Sequence, residues 1–180
     1  MITTPNLNLI PCELKHFEAI LNDPSVLASL LGVTVFENWF DFPGVAGIEA
    51  ITHSYNYLKA HPEATGWWMY LFIHREDNSL IGYGGYKGKA DAEGMVEIGY
   101  AIIDSYRCRG LASDAAQGLV DHAFRHDHVL TVDAHTLPER NASVRVLEKI
   151  GMKHVGTASD PDVGEVWHWR LERDEWRERT

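Results

Sequence analysis

The stretch that most narrows the choice of fold lies in the middle of this 180-residue chain. Val96 to Ile103 is an apolar run of strand length, Asp104 to Tyr106 is a short polar turn, and Arg107 to His126 reads RCRGLASDAAQGLVDHAFRH. Within that last segment Leu111, Ala115, Leu119 and Ala123 recur at helical spacing, flanked by Ala116, Val120 and Phe124. The spacing predicts a helix with two small residues at its mouth, Gly110 and Ala112. A helix N-terminus offers about four backbone N–H groups without intrahelical partners and a partial positive charge, which suits a phosphate. Side chains at the mouth would hold a phosphate away; Gly110 and Ala112 have almost none, and Arg107 and Arg109 add cationic donors. Strand, small-residue turn and helix in this order predict a pyrophosphate cradle. The plainer reading is a helix start where Gly110 and Ala112 only permit close helix–strand packing.

The rest of the chain alternates strands with helices. Leu7 to Ile10 is a short first strand ended by Pro11, and helices are expected over Glu13 to Leu21 and Pro24 to Leu31, the second closed by Gly32. Phe36 to Gly47 is irregular but aromatic, with Phe36, Trp39, Phe40 and Phe42. Ile48, Ile51, Tyr55 and Leu58 mark a further helix. Trp67 to His74 and Leu80 to Lys87 read as a hairpin across a polar turn. Gly82, Gly84, Gly85 and Gly88 lie inside that strand pattern and precede another strand, so they fail the context of a dinucleotide fingerprint and point instead to a bulge or close backbone packing. Beyond the central helix come a strand at Val129 to His135, a helix at Asn141 to Ile150 closed by Gly151, and strands at Met152 to Gly156 and Glu165 to Leu171. The charged tail from Glu172 to Thr180 allows a last helical turn. Together these predict one α/β domain over residues 1–180: a central mixed, mostly antiparallel sheet of about seven strands, flanked by helices.

Bulk properties exclude several functions. A formal net charge of −10 argues against nucleic-acid binding, which needs a basic face. Two cysteines, Cys12 and Cys108, are too few for a disulfide scaffold or a cysteine-ligated zinc site. The first residues, MITTPNLNLIP, lack a basic region followed by an apolar core, and no apolar run reaches the length of a membrane span. The expectation is a cytoplasmic protein with no membrane or nucleic-acid partner and no metal.

Two segments carry a resemblance. Arg107-Cys108-Arg109-Gly110-Leu111-Ala112 fits the R/Q-x-x-G-x-G/A signature of the GNAT N-acetyltransferases, preceded by EIGYAI at Glu97 to Ile102. Downstream, NASVRVLEKIGMKHVG at Asn141 to Gly156 resembles the family's second signature in the expected order and spacing. TPNLNLIPC near the start and the Trp-containing tail resemble the subgroup that acetylates ribosomal-protein N-termini, so the likeness runs over nearly the whole chain. It implies a GNAT-like fold, acetyl-CoA as co-substrate, and direct transfer of the acetyl group to a primary amine in a ternary complex. The amine would belong to a protein N-terminus or a small molecule, and the protein would be a monomer or homodimer. It also places the cofactor against Ile102, Ile103, Arg107, Cys108, Arg109, Gly110, Leu111, Ala112 and Asn141.

Acetyl transfer from a thioester to an amine requires the two held together, a proton taken from the amine, and a thiolate leaving group. A free α-amine has a pKa of about 8, so modest help from a base suffices. Glu97 is the expected base. Alternation in VEIGYAI puts Val96, Ile98, Tyr100 and Ile102 on one face and Glu97, Gly99 and Ala101 on the other, where a covered carboxylate would be partly desolvated. In the family a glutamate on this strand serves as base, often through water. Asn141 and Ser143 open the following helix and are good N-caps. The family implies an Asn on the pantetheine arm, filled here by Asn141 or Arg140, and a Ser near the leaving sulfur, filled by Ser143. Leu147 stands where other members carry a tyrosine. For the acceptor, Trp39, Phe40, Trp67 and Trp68 are candidates to line an aromatic pocket, with core packing the plainer reading, and Glu165 and His168 near the last strand are candidates to face the amine, with a solvated position the plainer reading. His122, His126 and His128 cluster without completing a recognisable metal site. A catalytically silent acyl-CoA-binding module on the same fold is the alternative.

Overall fold

The computed structural model describes residues 1–37, 39–40 and 47–179. Phe42 lies outside them.

Among the described residues, nine strands form one sheet. In chain order they are β1 (Ile2–Thr3), β2 (Leu7–Pro11), β3 (Thr34–Val35), β4 (Met69–His74), β5 (Ser79–Tyr86), β6 (Met95–Ile102), β7 (Thr131–Thr136), β8 (Lys153–Asp160) and β9 (Gly164–Glu172). Their order across the sheet is β1-β2-β4-β5-β6-β7-β9-β8, with β3 added beside β5. Neighbours on that path are antiparallel except β6 and β7, which run parallel. The expected seven strands are all present. The two extra ones, β1 and β3, have two residues each, too short for any periodicity to mark. The hairpin β8–β9 is longer than its apolar pattern suggested: β8 is mostly exposed, so no alternation marks its far half.

The seam between β6 and β7 organises everything that follows. The two strands pair only through Met95–Thr131, Val96–Val132 and Glu97–Asp133. Past that point β6 continues beside β5 while β7 continues beside β9, and the sheet opens between them.

Helices α1 (Leu14–Asn22), α2 (Pro24–Leu31) and α3 (Gly47–Ala60) cover one face, where Phe17, Ile20, Leu27, Ile51 and Leu58 join Leu71, Ile73, Leu80 and Trp39 in a buried cluster. Helices α4 (Leu111–Phe124) and α5 (Ala142–Lys149), with the short α6 (Arg173–Arg177), cover the other face over Val96, Ile98 and Ile102. The alternation read along β6 is therefore real: Val96, Ile98 and Ile102 lie beneath α4, and Ala101 belongs to the opposite layer. The glycines of β5 fit the close-packing reading. A Cβ at Gly82 would lie 2.1 Å from the Ala101 carbonyl oxygen, so β5 and β6 approach at a distance no side chain allows.

Helix α4 is held at both ends. Near its start Asp114 accepts from Thr4 Oγ1 at 2.7 Å and from the Asn6 N–H at 3.0 Å, tying the β1–β2 turn to the helix. Beyond its end the buried Arg173 donates to the carbonyl of Phe124, the last residue of the helix, and to those of His126 and Val129 in the loop that follows.

Candidate active site

The loop from β6 to α4 has the shape that an anion cradle needs. Tyr106 is buried and anchors the turn, donating to Asp77 Oδ2 at 2.8 Å. Cys108 and Gly110 both hold left-handed backbone conformations, with φ of 59° and 79°. Gly110 is needed there for its backbone: a Cβ would meet only Lys149 Nζ, at 3.8 Å, but φ of 79° strains any other residue. Among the described residues, the backbone N–H groups from Cys108 to Ser113 form no hydrogen bond, and the first intrahelical bond runs from Asp114 to Gly110. That run of free donors at a helix N-terminus suits a pyrophosphate.

The two arginines differ from expectation in their orientation. Arg107 turns back, donating from Nε to the Ile102 carbonyl at 3.0 Å and pairing with Asp104 at 2.8 Å, so it pins the end of β6. Arg109 lies over the Tyr106 ring at 4.8 Å. Arg107 still lines the cavity beside the cradle, and two further cations, Arg145 and Lys149, one turn apart on α5, line it from the other side. Their i, i+4 spacing was visible in the sequence, but nothing there showed which way that face of α5 points.

A cavity of about 550 Å³ opens beside the cradle, where β6 has left β7. Ile102, Arg107, Cys108, Gly110, Leu111 and Ala112 line it on one side, and Asn141, Ser143, Arg145 and Lys149 on the other. Ile103 and Arg109 flank it without lining it. Tyr100 and Ala101, on the freed edge of β6, also line the cavity. Asn141 accepts from the Val144 N–H at 3.0 Å and thus caps α5 while it borders the cavity. Arg140 instead points away, bonded through one nitrogen to both carboxylate oxygens of Glu148 at 2.9 Å. Leu147 is buried in the core. Sequence reading missed Tyr100, whose hydroxyl donates to the Ser143 carbonyl at 3.4 Å; burial pushes that phenol well above its ordinary range, so it stays protonated.

Glu97 lies on the other face, at the last paired residue before the strands part. It is partly buried, and its Oε1 takes both of its contacts: Lys87 Nζ at 2.5 Å and His135 Nδ1 at 3.0 Å. Between Glu97 and Ala101, a Cβ on Gly99 would meet nothing within 4 Å, so the strip from carboxylate to cavity is open. The carboxylate expected to be partly desolvated beside small residues is partly buried, and it sits in a polar cluster. On the same face, in register across β7 and β9, stand Asp133, His135, His168 and Arg170.

The four aromatic residues expected to form one acceptor pocket separate. Trp39 is core, edge-on to Phe40 and Tyr83, and Trp68 stacks on Tyr57 at 3.9 Å. Trp67 sits in the opposite layer among His122, His126 and His128. No group of three or more His, Cys, Asp or Glu side chains is arranged to hold a metal among the described residues. Glu165 is exposed, whereas His168 is half-buried in the polar cluster.

The chain matches the model of the acetyltransferase (GNAT) domain over residues 6–153. It is 28% identical over 151 residues to the uncharacterized N-acetyltransferase YjdG of Bacillus subtilis, covering 84% of this chain and 88% of that protein. Among solved structures it superposes on a spermidine N-acetyltransferase SpeG chimera from Vibrio cholerae and human SSAT with a TM-score of 0.72, at 14% identity, covering 97% and 99% of the two chains. It also superposes on RimL, a ribosomal L7/L12 α-N-protein acetyltransferase in complex with coenzyme A, with a TM-score of 0.68, at 18% identity, covering 96% and 97%. With a domain match spanning most of its length and a sheet that opens beside a helix-mouth cradle, the chain belongs to the GNAT family of N-acetyltransferases.

Proposed function

We propose that this N-acetyltransferase moves an acetyl group from acetyl-CoA directly to a primary amine, with both substrates bound together and Glu97 taking the amine proton. The observations that carry this reading are the open seam, where a cavity with a cradle of free amides at one end lies along β6, and the Glu97 carboxylate further back on the same strand, with open space at Gly99 between them. The residues present fit coenzyme A. Backbone amides from Cys108 to Ser113 hold the pyrophosphate, Lys149 and Arg145 add charge, and the freed edge of β6 receives the pantetheine arm along Ile102 to Tyr100. When bound, the co-substrate supplies an acyl group activated as a thioester. Ser143, at the cavity wall beside the Tyr100 hydroxyl, faces the place where the sulfur leaves.

The amine reaches the seam from the face that Glu97 shares with His135, and water between them carries the proton to the carboxylate. Lys87 and His135 hold the carboxylate in place, which limits its loss of orientation between turnovers. The acceptor is a protein α-amine or a small-molecule amine. SpeG and RimL, by their names, act on a polyamine and on a ribosomal protein, and both classes fit a site whose only demand so far is a free amine. Release of free thiol from acetyl-CoA, followed with short peptides, spermidine and kanamycin as acceptors, tests this. Wild type should turn over at least one of them. Glu97→Gln should lower kcat by roughly 10²-fold, the scale of a lost general base, most strongly at low pH where the amine is protonated, with acetyl-CoA affinity retained. Undiminished turnover in that variant removes Glu97 from the chemistry.

A further inference from the structure

We propose that Lys87 is itself an acceptor: with acetyl-CoA bound, the protein acetylates the Lys87 side chain through Glu97. This rests on the reading of Glu97 as base. The acceptor in that reading is a primary amine that gives its proton to Glu97, and the fold already puts a primary amine there. Lys87 Nζ is 2.5 Å from Glu97 Oε1. The His135 Nδ1–H donates to the same oxygen at 3.0 Å, and among the described residues Oε2 has no contact. The sheet builds the pair. The Lys87 N–H donates to the Glu97 carbonyl at 2.9 Å, one step beyond the Tyr86–Ile98 pair, so both side chains leave the same face. The next pair on that face is Gly85–Gly99, and a Cβ on Gly99 would meet nothing within 4 Å. Gly99 lies about 7 Å along the strand from Glu97, and Ala101, one such step further, borders the cavity. The Lys87 side chain is 58% exposed on a flexible four-carbon stem, so its amine can swing from Glu97 over bare backbone toward the cavity. An ion pair this exposed holds it only weakly. Among the described residues no other lysine pairs with Glu97; Lys89, two residues on and also exposed, has no ion pair at all.

The step balances with acetyl-CoA as the sole co-reactant. The Lys87 ammonium gives one proton to Glu97, and the freed nitrogen forms an N–C bond to the acetyl carbonyl carbon. The C–S bond breaks with its electron pair on sulfur. The nitrogen sheds a second proton as the amide forms, and the thiolate takes it, so coenzyme A leaves as the thiol. Glu97 then returns its proton to water. Acetylation removes the Lys87 charge and with it the pairing to Glu97, so the event happens once per chain. A tethered amine beside the base reacts as a unimolecular partner, which sets Lys87 apart from lysines that meet acetyl-CoA from solution.

Purified protein incubated with acetyl-CoA and no added amine, with each lysine followed by peptide mass spectrometry, tests this. Lys87 should be acetylated at least about tenfold faster than Lys15, Lys59, Lys89 and Lys153, at a rate per chain that does not change with protein concentration. Thiol release should stop at one equivalent per chain and be absent in Lys87→Arg. In Glu97→Gln the labelling of Lys87 should fall to the rate of the other lysines. Lys87 labelled no faster than Lys89, while added amines are acetylated through Glu97, overturns the proposal and leaves the base standing. A rate that rises with protein concentration makes the transfer intermolecular and overturns it likewise. Fast labelling of Lys87 retained in Glu97→Gln, or a folded wild type that acetylates neither Lys87 nor any added amine, removes the reading of Glu97 and the proposal together. A readout without acetyl-CoA is the contact itself. In proton–nitrogen spectra of the lysine side chains the Lys87 ammonium signal should move in Glu97→Gln, and an unmoved signal overturns the proposal.

Discussion

His122 should make the protein acid-labile over a defined window. Its ring is half-buried on α4 beside Trp67 and Tyr70, with Nδ1 2.9 Å from the Tyr86 hydroxyl oxygen. Tyr86 donates its one proton to the Leu119 carbonyl at 2.7 Å, so the His122 Nδ1–H is the donor between the two rings and Nε2 carries the lone pair. Burial, and then the charges of His126, Arg125 and the N-terminus, push its pKa from 6.5 down to about 4. Because the folded value lies below the unfolded one, the unfolded chain binds the proton first as pH falls. Stability is therefore full above pH 6.5 and is lost as pH drops toward 4. A shift of this size corresponds to about 3 kcal/mol in a dry interior; discounted for the ring's partial exposure, about 1–2 kcal/mol remains. Urea unfolding between pH 7 and 4.5, wild type beside His122→Asn, isolates the effect. The variant keeps a donor toward Tyr86 but has nothing to titrate, so the stability difference between the two proteins should shrink by about 1–2 kcal/mol across the window. Parallel stability curves would refute the assignment.

Other expectations are read more directly. Arg173→Ala removes the donor from the carbonyls of Phe124 and Val129 and leaves that of His126 with only the Val129 N–H, and should cost about 3 kcal/mol in urea unfolding with an unchanged m-value; a cost below about 1 kcal/mol would mean that water replaces the guanidinium. Lys149→Ala removes a cation beside the cradle and should weaken acetyl-CoA binding by roughly five- to tenfold in a calorimetric titration, with kcat nearly unchanged. Equal affinity would place the phosphates elsewhere.

Much of this arrangement was legible in the sequence because it rests on local patterns. The period of Leu111, Ala115, Leu119 and Ala123 marked α4, and the alternation through Val96, Ile98 and Ile102 marked β6 with its correct faces. The cradle followed from both. What escaped was set by pairing across the sheet, which leaves no trace in neighbouring residues. Glu97 meets Lys87 and His135 only because β5 and β7 flank β6, and His135 meets His168 only through the β7–β9 register. The parting of β6 and β7 has no local signature either. The contacts of Arg107 have no local signature either: it lines the cavity as its place in the sequence suggested, but the Ile102 carbonyl and Asp104 that hold it come from the fold. His122 and His126 showed helical spacing, yet only the fold brings Trp67 into their midst and turns a solvated face into a half-buried one.

The central claim is that the mouth of α4 binds the pyrophosphate of acetyl-CoA. Thermal unfolding with and without saturating acetyl-CoA, wild type beside Ala112→Glu, tests it most directly. Ala112 lies in the first turn of α4 and borders the cavity. A glutamate there favours the helix while placing a carboxylate where the phosphates would sit. At a hundredfold excess over its dissociation constant a ligand adds about 2.7 kcal/mol, a rise in midpoint of roughly 5–10 °C for a domain of this size. The account predicts that rise in wild type and its loss in Ala112→Glu. A folded wild type whose midpoint does not move, or a variant that gains the same rise, would contradict it.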